Sequence, residues 1–285
     1  MGRRSATHRT RDRFHLRPAR VADGSPPHPC RPAAGDLRQS DDLDKSTLTP
    51  AQFYERLRID PHHPKTSQPT PADFVRTYEF LLKYCRSIVS IHISAKLSGT
   101  VQSARRAAEN LGADITVVDS KSASIGLGLV VLVAAETLAA GADASSVARR
   151  ARETADTVHV YLCPRTIAYL VKGGRIGRVS GAIGRILGVT PIFELYRTGE
   201  IRVVRKLYRG MHVRNAFAGL MTDGLRRAAD RRVLVAGSDD PELAQWLRSA
   251  ARSVRPDADI VVENISPVIG THVGPGTAGV AFVDS

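Results

Sequence analysis

Ser90 to Asn110 is the stretch that most restricts what this chain can become, entered by a strand over Ser87 to Ser94. Ile88, Val89, Ile91 and Ile93 form a β-branched run that reads as a buried strand. A polar turn, Lys96-Leu97-Ser98-Gly99-Thr100, follows at once. Val101 to Leu111 is then rich in Ala and Arg, the composition of a helix. Strand, hydroxyl-rich turn and helix together set free backbone N–H groups and the positive end of a helix dipole before an anion. In an open α/β sheet such a turn lies at the carboxyl end of a strand, where ligands bind. The same spacing also suits a plain helix cap at Ser98 or Thr100, and both readings stay open at this level.

The flanking sequence repeats the alternation. Pro71 opens a helix to Tyr84, with Phe74, Tyr78, Leu81 and Leu82 on one face. Ile115-Thr116-Val117-Val118 is a second strand, and Ile125 to Ala140 an apolar helix stopped at Gly141. This argues for a parallel, doubly wound lobe over residues 41–157. Beyond it the pattern mixes strands (His159–Leu162, Pro191–Leu195, Ile201–Leu207, Arg232–Ser238, Ile260–Ile265, Ala278–Val283) with helices near Met211–Ala229 and Pro241–Ser253. Short helical pieces are expected at Ile167–Val171 and Val179–Leu187. Residues 158–285 thus predict a smaller mixed α/β lobe. Residues 1–40 combine Arg with five prolines and show no periodicity, which predicts a disordered arm.

Charge needs dividing before it is interpreted. The net +13 owes much to residues 1–20, where seven arginines stand against one aspartate. A basic arm can bind nucleic acid, but the low aromatic content offers little to stack on bases, and a solvated tail is the preferred reading. Three cysteines with no CxxC or His/Cys cluster point to a reducing compartment and away from structural zinc. The apolar run Ile125–Ala135 is too short to span a bilayer, and no signal peptide is evident, so a cytoplasmic protein is expected.

Six separated stretches in order, TSQP (66–69), SIHISAKLSGTVQSA (90–104), VVDSKSASIGLGLVV (117–131), YLVKGGRIG (169–177), GVTPIFEL (188–195) and IGTHVGPGTAGVAF (269–282), resemble the DegV family of bacterial fatty-acid-binding proteins. The resemblance implies two α/β lobes with a long-chain fatty acid between them and no other cofactor. It implies carboxylate contacts at Thr66 and Ser98, with Ser94 and His272 as further head-group residues. It also implies a separate ATP-using fatty-acid kinase subunit that phosphorylates the presented carboxylate, docking at Arg175 and Arg209. The chemistry is coherent: a carboxylate that loses hydration must regain hydrogen bonds, and hydroxyl donors beside a helix N-terminus provide them. A sixteen-carbon tail buried at about 0.8 kcal/mol per CH₂ contributes on the order of 10 kcal/mol gross, less the costs of association. Ile125–Val133, Ile167, Leu170, Ile183 and Leu187 could line a tunnel, although ordinary core is the commoner fate of such residues.

Other readings are weaker. Gly274 to Gly279 matches GxGxxG, but a strand follows it rather than a helix. Ser98, His272 and Asp119 could form a hydrolytic relay acting on a lipid ester, although no oxyanion pair is evident. One departure from the family stands out: residues 1–40 lack the first strand and Thr-Asp-Ser turn, and their composition resembles a shifted reading frame in a GC-rich gene. A lobe without that strand is expected to be less stable.

Overall fold

The structure is a computed structural model that describes residues 29–32, 42–43, 49–60, 62–175, 179–180, 189–195, 197–208 and 212–284. The described chain begins with two short strands, β1 (Pro29–Pro32) and β2 (Asp42–Leu43), and helix α1 (Pro50–Ile59). Thr49 accepts from the Gln52 N–H while the Gln52 side chain accepts from the Thr49 N–H, and Pro50 fills the first turn, where no N–H is needed. Strand β3 (Pro64–Thr66) pairs antiparallel with β1, placing Cys30 opposite Thr66. Part of the segment expected as an arm therefore supplies backbone to a small sheet, a pairing that needs no side-chain periodicity.

Helix α2 (Pro71–Leu82) starts from a second reciprocal cap, Thr70 with Asp73. Strand β4 (Ile88–His92), helix α3 (Thr100–Leu111) and strand β5 (Ile115–Asp119) form a right-sized parallel crossover, with Ile88 opposite Ile115 and His92 opposite Asp119. Helices α4 (Ser124–Ala139) and α5 (Ala144–Thr157) complete the first lobe.

The second lobe follows as β6 (Val158–Cys163), α6 (Ala168–Lys172), β7 (Val179–Ser180), β8 (Val189–Leu195), β9 (Ile201–Tyr208), α7 (Val213–Arg227), β10 (Arg232–Gly237), α8 (Pro241–Val254), β11 (Asp259–Asn264), α9 (Pro267–Val273) and β12 (Ala278–Val283). Its strands form one mixed sheet in the order β11-β10-β12-β6-β8-β9-β7. The parallel β4-β5 pair and the small β2-β1-β3 sheet stand apart from this seven-stranded sheet. Of the helix expected over Val179–Leu187, Val179–Ser180 is instead a strand parallel to β9, and residues 181–188 lie outside the described residues.

The lobes share their main core. Helix α4 is apolar on every side up to Glu136, and that part is largely buried, whereas its end at Glu136, Leu138 and Ala139 is exposed. It lies against α5 on one flank and against β6, β10 and β12 on another. Ile91, Leu97, Val118, Ile125 and Leu129 of the first lobe pack in one cluster with Leu170, Phe193, Leu234, Val273 and Ala281 of the second. A separate cluster lies under α7 and α8, where Phe217, Met221 and Leu247 meet Val233, Val235 and Phe282. Among the described residues no helix is long and apolar enough to cross a membrane.

Candidate head-group site

Thr66 closes β3, and His272 lies in the last turn of α9. These residues, distant in sequence, meet: Thr66 Oγ1 is 2.9 Å from His272 Nε2. Each is positioned from behind. Helix α1 packs on α9, with the Tyr54 hydroxyl donating to the Ile265 carbonyl at 3.2 Å. Phe53 and Tyr54 press so closely on Gly270 that a side chain there would collide with them. An Arg58–Asp239 ion pair pins the far end of α1 to the β10–α8 loop.

Ser98 stands in the turn after β4. Its hydroxyl lies 2.8 Å from Thr100 Oγ1 and accepts a long 3.4 Å bond from the Thr100 N–H. The N-cap position of α3 is Gly99, which has no side chain to cap the helix, so Ser98 takes up the first N–H of α3 in its place, in keeping with the cap reading of Ser98. Gln68 joins this turn to the Thr66 loop. Its amide lies against Gly99, where a methyl group would overlap it, and it donates to Ser103 Oγ at 3.3 Å.

Ser94 has a different task. It is fully buried and donates to the Gly199 carbonyl at 2.8 Å, tying the β4 loop to the β8–β9 turn. Gly199 has φ +84°, and a side chain there would overlap Ser94 Oγ. Arg175 donates from Nη1 to the Gly173 carbonyl at 2.9 Å. The His272 ring packs on Gly173 so closely that a Cβ there would overlap Nδ1, so Arg175 stands beside the His272 ring. Arg209 lies outside the described residues.

Burial pushes the His272 pKa down to about 4, helped by the nearby charges of Arg175 and His63. The ring is therefore neutral at pH 7, with one N–H to place. If Nε2 carries it, His272 donates to Thr66 Oγ1 and leaves the Thr66 hydroxyl proton free for an incoming oxyanion. A carboxylate thus selects that tautomer. The site combines one neutral imidazole, hydroxyls, a helix N-terminus and a neighbouring guanidinium, which is a donor set for an anion. Its apolar surroundings begin at once, since Leu97 and Val273 flank Ser98 and His272 and both belong to the shared core. Ile125, Leu129, Val130, Val133 and Leu170 also belong to that core, with Ile167 against it, while Ile183 and Leu187 lie outside the described residues.

The hydrolytic relay is not assembled. The Asp119 carboxylate accepts from the Lys121 N–H at 2.8 Å and the Ala95 N–H at 3.3 Å, while His272 is bonded to Thr66 and Ser98 to Thr100. Sequence reasoning missed α9, although Ser266-Pro267 is a helix-start signal. It also missed the bridging by Gln68 and the place of His63, which depend on contacts that spacing does not encode.

A family model described as "Uncharacterised protein, DegV family" matches residues 38–285. A DegV domain-containing protein of Deinococcus radiodurans is 33% identical over 245 residues, covering 82% of this chain and 83% of that protein. The fold superposes on a fatty-acid-binding DegV family protein from Thermus thermophilus with a TM-score of 0.78 and 28% identity, over 92% of this chain and 91% of that one. It also superposes on DegV, a fatty acid binding protein from Bacillus subtilis, with a TM-score of 0.79 and 26% identity, over 90% of each chain.

Proposed function

The chain belongs to the DegV family, and from that membership we propose that it binds a long-chain fatty acid between its two lobes and presents the carboxylate to a partner kinase. The observation that carries this reading is the Thr66–His272 contact, which joins a first-lobe loop to a second-lobe helix. Thr66 and Ser98 are the carboxylate donors in this account, His272 sets the direction of the Thr66 hydroxyl, and Ser94 holds the two lobes in register. The tail runs into the aliphatic interior that α4 shares with the second-lobe sheet. The likeness to fatty-acid-binding proteins of Thermus thermophilus and Bacillus subtilis supports this ligand class.

In the finer part of the proposal, an ATP-using kinase subunit docks near Arg175 and Arg209. It transfers a phosphoryl group from ATP to a carboxylate oxygen, giving an acyl phosphate and ADP, so the carrier itself performs no chemistry. We place this exchange in the cytoplasm. Native mass spectrometry of the purified full chain, followed by lipid extraction, tests the reading. One bound fatty acid per chain is expected. Protein that takes up no fatty acid, or that turns over a lipid ester, would overturn it.

A further inference from the structure

Gly99 is a glycine for a reason that its backbone does not supply. It stands at the N-cap of α3 with φ −75° and ψ 7°, a conformation open to residues with a side chain. What excludes a side chain there is Gln68. A Cβ on Gly99 would fall on the Gln68 carboxamide, meeting Oε1, Cδ and Nε2 together. The same amide donates from Nε2 to Ser103 Oγ at 3.3 Å, and Ser103 is buried. Ser103 in turn donates its N–H to the Gly99 carbonyl at 3.0 Å. Gln68 therefore covers the first turn of α3, the turn that follows Ser98.

Burial is not what holds Gln68, because the residue is exposed. Its backbone is held instead. Pro69, which is buried, restricts Gln68 to extended backbone, and Thr70 then caps α2 reciprocally with Asp73. Helix α2 packs on α3, where Phe74 and Tyr78 meet Ala104 and Ala107. Thr66, two residues before Gln68, thus belongs to a short stiff span that is anchored to the α2–α3 pair and reaches the Ser98 turn through one amide.

We propose that Gln68 is a positioning residue for the carboxylate: its amide, seated on Gly99 and Ser103, sets the Ser98 hydroxyl at the spacing from Thr66 that one carboxylate bridges. This rests on the fatty-acid reading above. Gln68 itself makes no bond to the ligand. It fixes two donors on separate loops before the acid arrives, so that less ordering is left to be done on binding. Gly99 is the other half of this seat. Deleting the amide or filling the space above Gly99 breaks the same contact.

The test is palmitate titration of the delipidated full chain, of Gln68→Ala, of Gly99→Ala and of the double variant. Each is also read by the carbon-13 resonance of carboxyl-labelled bound palmitate and by the urea midpoint. Gln68→Ala removes the amide. Gly99→Ala turns it aside, a cheap movement for the far end of a flexible side chain. Each single variant is expected to bind palmitate about tenfold more weakly, the partial loss of one hydrogen bond to a charged group, and to shift the bound carboxyl resonance. Together they should cost little more than either alone, because the second substitution finds the contact already gone. Urea midpoints should stay near that of wild type. Unchanged palmitate affinity in Gln68→Ala would overturn the positioning role, and losses that simply add in the double variant would overturn the shared seat. A lowered urea midpoint with the affinity of the folded protein intact would make Gln68 merely structural and overturn the proposal as well. Wild-type protein that binds no palmitate would overturn the fatty-acid reading itself, which separates the two proposals.

Discussion

Two histidines of this protein, His159 buried and His272 half-buried, have opposite surroundings. His159, on β6, is enclosed by charge. Its Nδ1 is 2.9 Å from Glu194 Oε1, and its Nε2 is 3.3 Å from Asp284 Oδ2, an ion-pair distance with poor hydrogen-bond alignment. Arg202 grips the other Glu194 oxygen at 2.9 and 2.7 Å, and Arg227 lies 3.8 Å from Asp284. Burial alone would raise the Glu194 pKa, but the bonds from His159 and Arg202 outweigh it and hold the carboxyl below its ordinary range. His272 has no such acid: its one hydrogen bond among the described residues goes to a hydroxyl, and its neighbouring charge is positive. The first site settles its charges internally and fastens β6, β8, β9 and the end of β12. The second is suited to an anion that a ligand supplies.

The contrast breaks most readily at Glu194. Glu194→Ala leaves His159 and Arg202 without their shared partner, and breaking a buried pair costs about 3–5 kcal/mol. Urea unfolding should show that loss while palmitate affinity in the folded protein stays within twofold. A cost below about 1 kcal/mol would mean that the network is only incidental.

Acid should separate the two histidine sites. Folding lowers the His272 pKa from 6.5 to about 4, so the unfolded chain binds the proton first. Stability from this group is complete above about pH 6.5 and declines as pH falls towards 4, by up to about 3 kcal/mol. Glu194, also lowered, keeps its contribution until pH drops below the ordinary carboxylate range. Urea midpoints of wild type and His272→Gln should therefore run parallel above about pH 6.5 and diverge in slope from there to about pH 4.5, wild type falling more steeply. Identical slopes throughout would contradict the assignment.

Removing ligand donors should affect binding and spare the fold. Thr66→Ala combined with Ser98→Ala is expected to weaken palmitate binding by about a hundredfold or more, since hydrogen bonds to a charged group contribute about 1.5–3 kcal/mol each. The urea midpoint should hardly change. The smallest effect is expected at the lobe junction. Gly199→Ala forces a side chain into φ +84° against Ser94 and should cost about 1–2 kcal/mol. Ser94→Ala should then relieve part of the Gly199→Ala penalty, a coupling readable in a double-mutant cycle.

The same contrast explains what could be anticipated from sequence. Ile88–His92 and Thr100–Leu111 follow their local periodicity, because a β-branched run and an Ala-rich run each have one good conformation. Thr66, Ser98 and His272 were legible only through motifs, and the structure brings Thr66 and His272 into contact while Gln68 ties Thr66's loop to Ser98's turn. Ser94 was grouped with them by adjacency, but its burial directs its hydroxyl to Gly199. Helix α9 escaped notice because seven residues with Gly270 among them and Gly274 after them carry little propensity and depend on Tyr54 and Phe53 for support. The His159–Glu194–Arg202 network was illegible because strand pairing across the sheet, not sequence spacing, assembles it.

The central claim is that an acid head is held by Thr66 of one lobe, whose hydroxyl is directed by His272 of the other. Carbon-13 NMR of carboxyl-labelled palmitate bound to the full chain tests this most directly. One bound carboxyl resonance, distinct from free palmitate and displaced in both Thr66→Ala and His272→Ala, is the expected result. A bound resonance that stays at the same position in both variants would contradict it.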